Sequence, residues 1–219
     1  MSFDLVIFDC DGVLVDSELI SCRCLIDTLR GYGIETTFEE VFATFLGRST
    51  TTIAEHYRAA GLRIPDNFQA ELKTRVRQAF AAELRPIANI ETVLRRLAAV
   101  YCVASSSDLD RVEFSLELTG LSDLFSGRIF TAQMVANGKP APDLFLYAAA
   151  RMGAAQDRTL VIEDSVSGVQ AAKAAGMTAW GFVGGSHYAA RDGRALLIEA
   201  GADRVFERMS DFRRQQAAG

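Results

Sequence analysis

The sequence predicts an α/β protein: a doubly wound parallel sheet with a helical domain inserted after its first strand. Three observations carry that expectation. Short, almost continuously apolar runs alternate with helical stretches, as strands covered on both faces require. About 90 residues without a convincing strand separate the first run from the second, where a crossover needs only about a dozen. Polar residues, acids and hydroxyls above all, follow the main apolar runs, where an open parallel sheet binds its ligands.

The elements follow in chain order. Leu5-Val6-Ile7-Phe8 is the first strand. Helices are expected over 17–30, 38–45, 51–60 and 68–83, with Gly31, Gly33, Gly47, Gly61 and Pro65 as punctuation. The stretch 91–99 is amphipathic, with Val93, Leu94 and Leu97 on one side. Tyr101-Cys102-Val103-Ala104 is the second strand, and the helix over 109–120 ends on a capping glycine. Arg128-Ile129-Phe130 is the third strand, followed by a helix over 142–152. Leu160-Val161-Ile162 is the fourth, followed by a helix over 166–175 that Gly176 stops. Thr178 to Phe182 is the fifth strand and Ala202 to Phe206 a weaker sixth. The tail after Phe212 reads as a frayed end. The implied domains are a core of residues 1–15 and 84–219 and a helical insertion of 16–83.

Composition narrows the function classes. The 219 residues correspond to ~1.5 average domains and carry 49% hydrophobic and 23% charged residues with a net charge of −5. That is ordinary for a folded chain, and it disfavours nucleic-acid and anionic-membrane partners. No apolar stretch reaches the ~18 residues of a membrane helix, and no secretory signal opens the chain. The four cysteines (Cys10, Cys22, Cys24, Cys102) fit no zinc spacing and read as free thiols of a reducing cytoplasm. Lysine is rare: of 23 basic residues only Lys73, Lys139 and Lys173 are lysines, so a lysine in a loop draws notice. Oligomeric state stays open between monomer and weak dimer.

The residues after the strands suggest one chemistry. Strand one delivers Asp9-Cys10-Asp11-Gly12, strand two Ser105-Ser106-Ser107-Asp108, the connection after strand three Asn137-Gly138-Lys139-Pro140, and strand four Glu163-Asp164-Ser165. Asp9, Glu163 and Asp164 would repel each other if gathered unpaired, and a hard cation such as Mg²⁺ resolves that. A phosphate monoester fits the same place. The cation and Lys139 would neutralise its oxygens, and Ser105 with nearby backbone N–H groups would hydrogen-bond them. Asp9 suits nucleophilic attack on phosphorus, and Asp11 suits proton transfer to the leaving alcohol and from the attacking water. Taken singly, each piece has a plainer reading: a turn, a helix start, an N-cap, a solvated lysine. Their joint order favours a metal-assisted phosphoryl site. Cys10 reads as structural, with its side chain turned away from the two aspartates. His56 and His187 read as surface or packing residues, and Ser186-His187 falls near an entrance.

These residues carry a family resemblance. Phe8-Asp9-Cys10-Asp11-Gly12-Val13-Leu14-Val15-Asp16-Ser17, Val103-Ala104-Ser105-Ser106-Ser107, Gly138-Lys139-Pro140-Ala141-Pro142-Asp143 and Val161-Ile162-Glu163-Asp164-Ser165-Val166-Ser167-Gly168 resemble the four motifs of the haloacid dehalogenase superfamily. The inserted helices are similar to the small cap of its β-phosphoglucomutase-like branch. The resemblance implies a Rossmann-like core with a helical cap domain, Mg²⁺, and phosphoryl transfer through an aspartate. Position by position, it implies Asp9 as nucleophile and metal ligand, and Asp11 as general acid/base with its carbonyl on the metal. It implies Ser105, with Ser106 beside it, and Lys139 as phosphate-binding residues, and Glu163 and Asp164 as the acidic pair at the metal. Gly47-Arg48-Ser49 resembles the cap loop that faces substrate, so Arg48 and Ser49 are candidates there.

Two departures qualify the match. The mutases carry a histidine near the position of Ser21, and this sequence has none before His56. Many relatives have Pro-x-x-Gly where this chain has Pro86-Ile87-Ala88-Asn89, an exchange asparagine can bear in a left-handed turn. The favoured expectation is a cytoplasmic Mg²⁺-dependent phosphatase acting on a small phosphorylated metabolite, a sugar or sugar-acid phosphate. A phosphosugar mutase, a metal-free dehalogenase and a receiver-like phospho-switch remain as alternatives.

Overall fold

A computed structural model describes residues 3–46, 50–189 and 191–212. The expected frayed tail and the loop 47–49 lie outside these residues. Six parallel strands form one sheet: β1 (Leu5–Phe8), β2 (Val100–Ser105), β3 (Ile129–Thr131), β4 (Thr159–Glu163), β5 (Thr178–Phe182) and β6 (Arg204–Phe206). Their order across the sheet is β3-β2-β1-β4-β5-β6. The order reverses at β1, which pairs with β2 on one side and β4 on the other, and ligands of such sheets collect at that reversal. Register aligns Phe8 with Val103 and with Ile162, so the residues just beyond β1, β2 and β4 leave the sheet side by side.

The strands lack an apolar–polar alternation because both faces are covered. Leu5 and Ile7 pack under α7 (Asp143–Met152) and α8 (Val166–Ala174), together with Phe145, Ala148 and Val169. Val6 and Phe8 face the other way, toward Val93, Leu94, Val112 and Leu116 of α5 (Ile90–Arg96) and α6 (Leu109–Leu118). Burial on both sides removes the pressure for polar residues at either parity.

Among the described residues between β1 and β2 there is no strand. The segment forms α1 (Glu18–Gly31), α2 (Phe38–Phe45), α3 (Thr50–Ala59) and α4 (Phe68–Glu83) before α5 returns to the sheet. The helix α4 buries Phe68, Leu72, Val76 and Phe80, a strict spacing of four that makes one apolar stripe. A capping box starts α2: Glu40 N–H donates to Thr37 Oγ1 at 3.2 Å and Thr37 N–H to Glu40 Oε2 at 2.9 Å. The apolar core runs without a break from the sheet face into these helices. The two chain segments that connect them to the sheet lie side by side, with Asp16 N–H donating to Arg85 O and Ile87 N–H to Leu14 O, both at 2.9 Å.

Two elements differ from expectation. The stretch expected to be helical over 91–99 ends at Arg96, because Leu97 is already extended at ψ 124°. A helix unforeseen in the sequence, α9 (Gly193–Glu199), is capped by Asp192, whose carboxylate accepts from Ala195 N–H at 3.1 Å. Asn89 adopts φ 68°, the left-handed conformation expected of the turn at 86–89. A side chain in that region costs about 1–2 kcal/mol, less for asparagine. Asn89→Ala is therefore expected to lower unfolding stability by ~1 kcal/mol and Asn89→Gly to stay within ~0.5 kcal/mol of wild type in urea titrations. Equal losses for both variants would show that the asparagine side chain, not its backbone angle, is what matters.

Candidate active site

The ends of β1, β2 and β4 and the 137–143 loop meet at one buried ammonium. Lys139 Nζ donates to Asp9 Oδ1 at 2.7 Å, to Glu163 Oε1 at 2.6 Å and to the Ala104 carbonyl at 3.0 Å. Its side chain is 2% exposed, which overturns the plain reading of a solvated loop lysine. The loop is braced where it turns into α7: Asn137 Nδ2 donates to Asp143 Oδ1 at 2.9 Å. Asp9 is fixed from behind by its own N–H, which bonds Ile162 O at 3.0 Å.

Asp9, Glu163 and Asp164 each present a carboxylate oxygen within 4.8 Å of the others'. One ammonium stands against three carboxylates, so the cluster carries surplus negative charge in a buried setting. Burial raises the Asp9 and Asp164 carboxyls well above the usual range, and Glu163 adds to it in both. Burial alone would depress Lys139, but Asp9 and Glu163 outweigh that and raise it. The Oδ2 atom of Asp164 is buried without a hydrogen bond from any of the described residues; His187 Nε2 lies 3.2 Å away but not in bonding geometry. An orphaned, buried carboxylate oxygen beside two more carboxylates is a donor set that fits Mg²⁺.

Two glycines permit this crowding. Gly12 takes φ +72°, and a Cβ on it would lie 1.8 Å from Asp164 Oδ2. A Cβ on Gly168, in the first turn of α8, would lie 1.9 Å from Glu163 Cδ. Glu163 is held in its turn by Ser165, whose N–H and Oγ–H donate to Oε2 at 3.1 and 2.9 Å.

Asp11 points elsewhere and is not part of that cluster. Ser17 Oγ and Arg111 Nη2 donate to its Oδ1 at 2.6 and 2.8 Å, and Ser107 Oγ donates to its Oδ2 at 2.7 Å. Burial pushes this carboxyl up, but the charge and hydrogen bond of Arg111, with the two serines, win and hold it below the usual value. Ser105 is buried and its Oγ accepts from Ser107 N–H at 3.0 Å. Asp9, Asp11, Ser105, Ser106, Lys139 and Glu163 all line one cavity of about 550 Å³ between the strand ends and the inserted helices. Arg48 and Ser49 lie outside the described residues.

The remaining expectations resolve individually. All four cysteines are free and buried; Cys10 is 1% exposed and burial raises its thiol well above the usual value, as suits a structural residue. His56 is exposed, with its ring edge on Phe45. His187 is a packing residue, buried against Phe42 and Tyr188 rather than standing at an entrance, and burial lowers its pKa. Ser186 is tied to Asp16 Oδ1 through its N–H and its hydroxyl. Sequence reasoning passed over Arg111, Ser17 and Ser107 as partners of Asp11. It also passed over Glu18, a cavity-lining carboxyl in the first turn of α1. The available signal is weak: an arginine in the first turn of the helix that follows the serine run.

The family model of haloacid dehalogenase-like hydrolases matches residues 6–182. The chain belongs to that family. It is similar to 6-phosphogluconate phosphatase of Escherichia coli, 29% identical over 186 residues that cover 84% of each chain. It is 30% identical to a phosphorylated carbohydrates phosphatase of Thermotoga maritima, covering 91% of this chain and 92% of that one. A solved haloacid dehalogenase-like protein of unknown function from Agrobacterium tumefaciens superposes with a TM-score of 0.85 at 34% identity, covering 99% of both chains. As a haloacid dehalogenase-like hydrolase of the phosphatase kind, the protein is an enzyme, and its strand order is the Rossmann-like one expected. Among the described residues no helix is long and apolar enough to cross a membrane.

Glu18 offers a check on the cavity's polarity. Burial first, then the charges of Asp11 and Asp164, raise its pKa from 4.5 to about 8. A carboxyl with a raised folded pKa binds a proton that the unfolded chain has already lost. Its stabilising contribution is therefore full below pH 4.5 and is lost as pH rises toward about 8. Urea midpoints measured without divalent metal at pH 5, 6.5 and 8 should fall with pH in wild type, and Glu18→Gln should flatten part of that fall. A variant with the wild-type slope would remove Glu18 as a source.

Proposed function

We propose that this hydrolase is an Mg²⁺-dependent phosphatase that releases inorganic phosphate from a small phosphorylated sugar or sugar acid through an aspartyl phosphate. One observation carries the reading: Asp9, Glu163, Asp164 and Lys139 converge, buried, at the strand ends, and Asp9, Glu163 and Lys139 line the cavity. Asp9 is the nucleophile. Asp11, ionised at rest, first takes up a proton from solvent; the Asp9 carboxylate oxygen then bonds to phosphorus while the ester oxygen departs with that proton. Water then attacks the phosphorus, Asp11 accepts its proton, and the bond to Asp9 breaks. Ser105, Ser106 and Lys139 hold the phosphoryl oxygens, and Lys139 also keeps Asp9 aligned. Asp9, Asp164 and the Asp11 carbonyl would hold Mg²⁺, with Glu163 orienting the set, and when bound the ion offsets charge on the transferring phosphoryl group.

The helices α1 to α4, residues 16–83 with their connections, act as the cap of a core formed by 1–15 and 84–219. They exclude bulk water from the cavity. The named activities of the Escherichia coli and Thermotoga maritima relatives support a sugar or sugar-acid phosphate, and a cavity of about 550 Å³ suits a small metabolite. Free buried cysteines are consistent with a cytoplasmic setting. The mutase reading is disfavoured, because Ser21 stands where those enzymes carry histidine and its hydroxyl accepts from Arg111.

Phosphate release from a panel of phosphorylated metabolites, with Mg²⁺ and with chelator, tests the proposal. Release on a few sugar or sugar-acid phosphates is expected only with Mg²⁺. Asp9→Asn should lower it by at least ~10⁴-fold, since the covalent step is lost. Metal-dependent release by Asp9→Asn would overturn the nucleophile assignment, and chelator-resistant turnover of the wild type would overturn the metal.

A further inference from the structure

The acid/base residue of the proposed reaction is restrained by a residue that the four motifs do not contain. Arg111 belongs to α6, on the sheet side of the cavity, yet its Nη2 donates both to Asp11 Oδ1 at 2.8 Å and to Ser21 Oγ of α1 at 3.0 Å. Its guanidinium carbon also lies 4.9 Å from the centre of the Phe80 ring of α4. One side chain therefore touches the first-motif loop, two inserted helices and the cavity. Ser17 and Ser107 complete the hold on Asp11, so both carboxylate oxygens are acceptors and the plane of the group is fixed. Serine hydroxyls can rotate away; the planar fork of an arginine stacked on a ring has far less freedom.

We propose that Arg111 is a positioning residue that fixes Asp11 in the orientation required to take the proton of the attacking water, and so commits the phosphoenzyme to hydrolysis. The inference rests on the aspartyl-phosphate reading above. Its chemical balance is that of the second step: water loses a proton to Asp11, its oxygen bonds to phosphorus, and the Asp9–phosphorus bond breaks. An acceptor held in the right direction matters most there, because water brings no binding energy of its own to orient it. Ser21 contributes by its small size. It leaves room for the guanidinium between α1 and Asp11, and it accepts the second hydrogen bond from the same nitrogen.

The test uses p-nitrophenyl phosphate, whose good leaving group needs no proton and isolates the water step, alongside whichever panel ester turns over. Arg111→Ala is expected to lower the steady rate ~10–100-fold, a share of what a general base supplies, with KM unchanged or lower. Rapid quenching should show a burst approaching one nitrophenolate per enzyme ahead of phosphate, with the aspartyl phosphate accumulating. Arg111→Lys should recover part of the rate. In the Asp11→Asn background the arginine exchange should cost less than twofold, because a residue acting through Asp11 has nothing left to act on. Arg111→Gln, which retains most of the stem over Phe80, is read the same way if the alanine variant is unfolded by circular dichroism.

Several results would overturn the inference. A steady rate within threefold of wild type is one. A slower rate without a burst and with a raised KM would make Arg111 a substrate-binding residue. Full additivity with Asp11→Asn would make it a structural one. If wild type itself forms no hydroxylamine-sensitive phosphoenzyme, the aspartyl-phosphate reading fails and this inference with it. If wild type forms one and the arginine variants do not accumulate it, only this inference fails.

Discussion

The site depends on burying one ammonium among carboxylates that outnumber it. Removing a charge from water costs several kcal/mol unless partners replace the lost solvation. Lys139 is therefore held only because Asp9, Glu163 and the Ala104 carbonyl arrive together at its nitrogen. Those three groups come from the residue just after β1, from β4 and from β2, and the lysine comes from the loop that precedes α7. Parallel pairing with a common register at Phe8, Val103 and Ile162 brings them level. The sheet is thus the device that makes the burial tolerable, and the charge cluster in turn makes the loop conformation costly to leave. The remaining imbalance, with Asp164 Oδ2 lacking a hydrogen bond among the described residues, is what a divalent cation is suited to correct.

How far the sequence reveals this follows from which forces act locally. Strands buried on both faces must be apolar at every position, so β1, β2, β4 and β5 stand out without reference to the rest of the chain. Acids and hydroxyls directly after such runs sit at the strand ends by construction, so Asp9, Ser105, Glu163 and Asp164 are legible. Lys139 is legible by rarity and by the prolines around it. The helix α9 leaves no stripe to read: Leu197 is buried, but Leu196 and Ile198 beside it are exposed. Its sequence therefore lacks the periodicity that marks α4, where Phe68, Leu72, Val76 and Phe80 repeat every four residues.

Arg111 escapes sequence reasoning for a different reason. Its partners Asp11, Ser21 and Phe80 are 100, 90 and 31 positions away, on three separate elements. Nothing within α6 distinguishes it from a solvated arginine at a helix start. The packing of α4 on α6 and the run of the core from the sheet into the inserted helices decide where its guanidinium goes. Glu18 is similar. Its place in the first turn of α1 reads as favourable helix-terminal charge, whereas the assembled cavity surrounds it with Asp11, Asp164 and His187.

The position of Asp11 along the chain connects these points. It lies just before one of the two paired segments that join the inserted helices to the sheet, where Leu14 and Asp16 bond Ile87 and Arg85. Its carboxylate is then gripped by Ser17 at the entry to α1 and by Ser107 and Arg111 from the sheet side. Asp9, the proposed nucleophile two residues earlier, is bonded among the described residues to Lys139 and Ile162, groups of the sheet and its loops. A displacement of the inserted helices relative to the sheet would thus disturb Asp11 while leaving Asp9 and Lys139 in place. The two aspartates share a motif but answer to different parts of the fold. One is set by the sheet alone, and the other by how the helices sit on it.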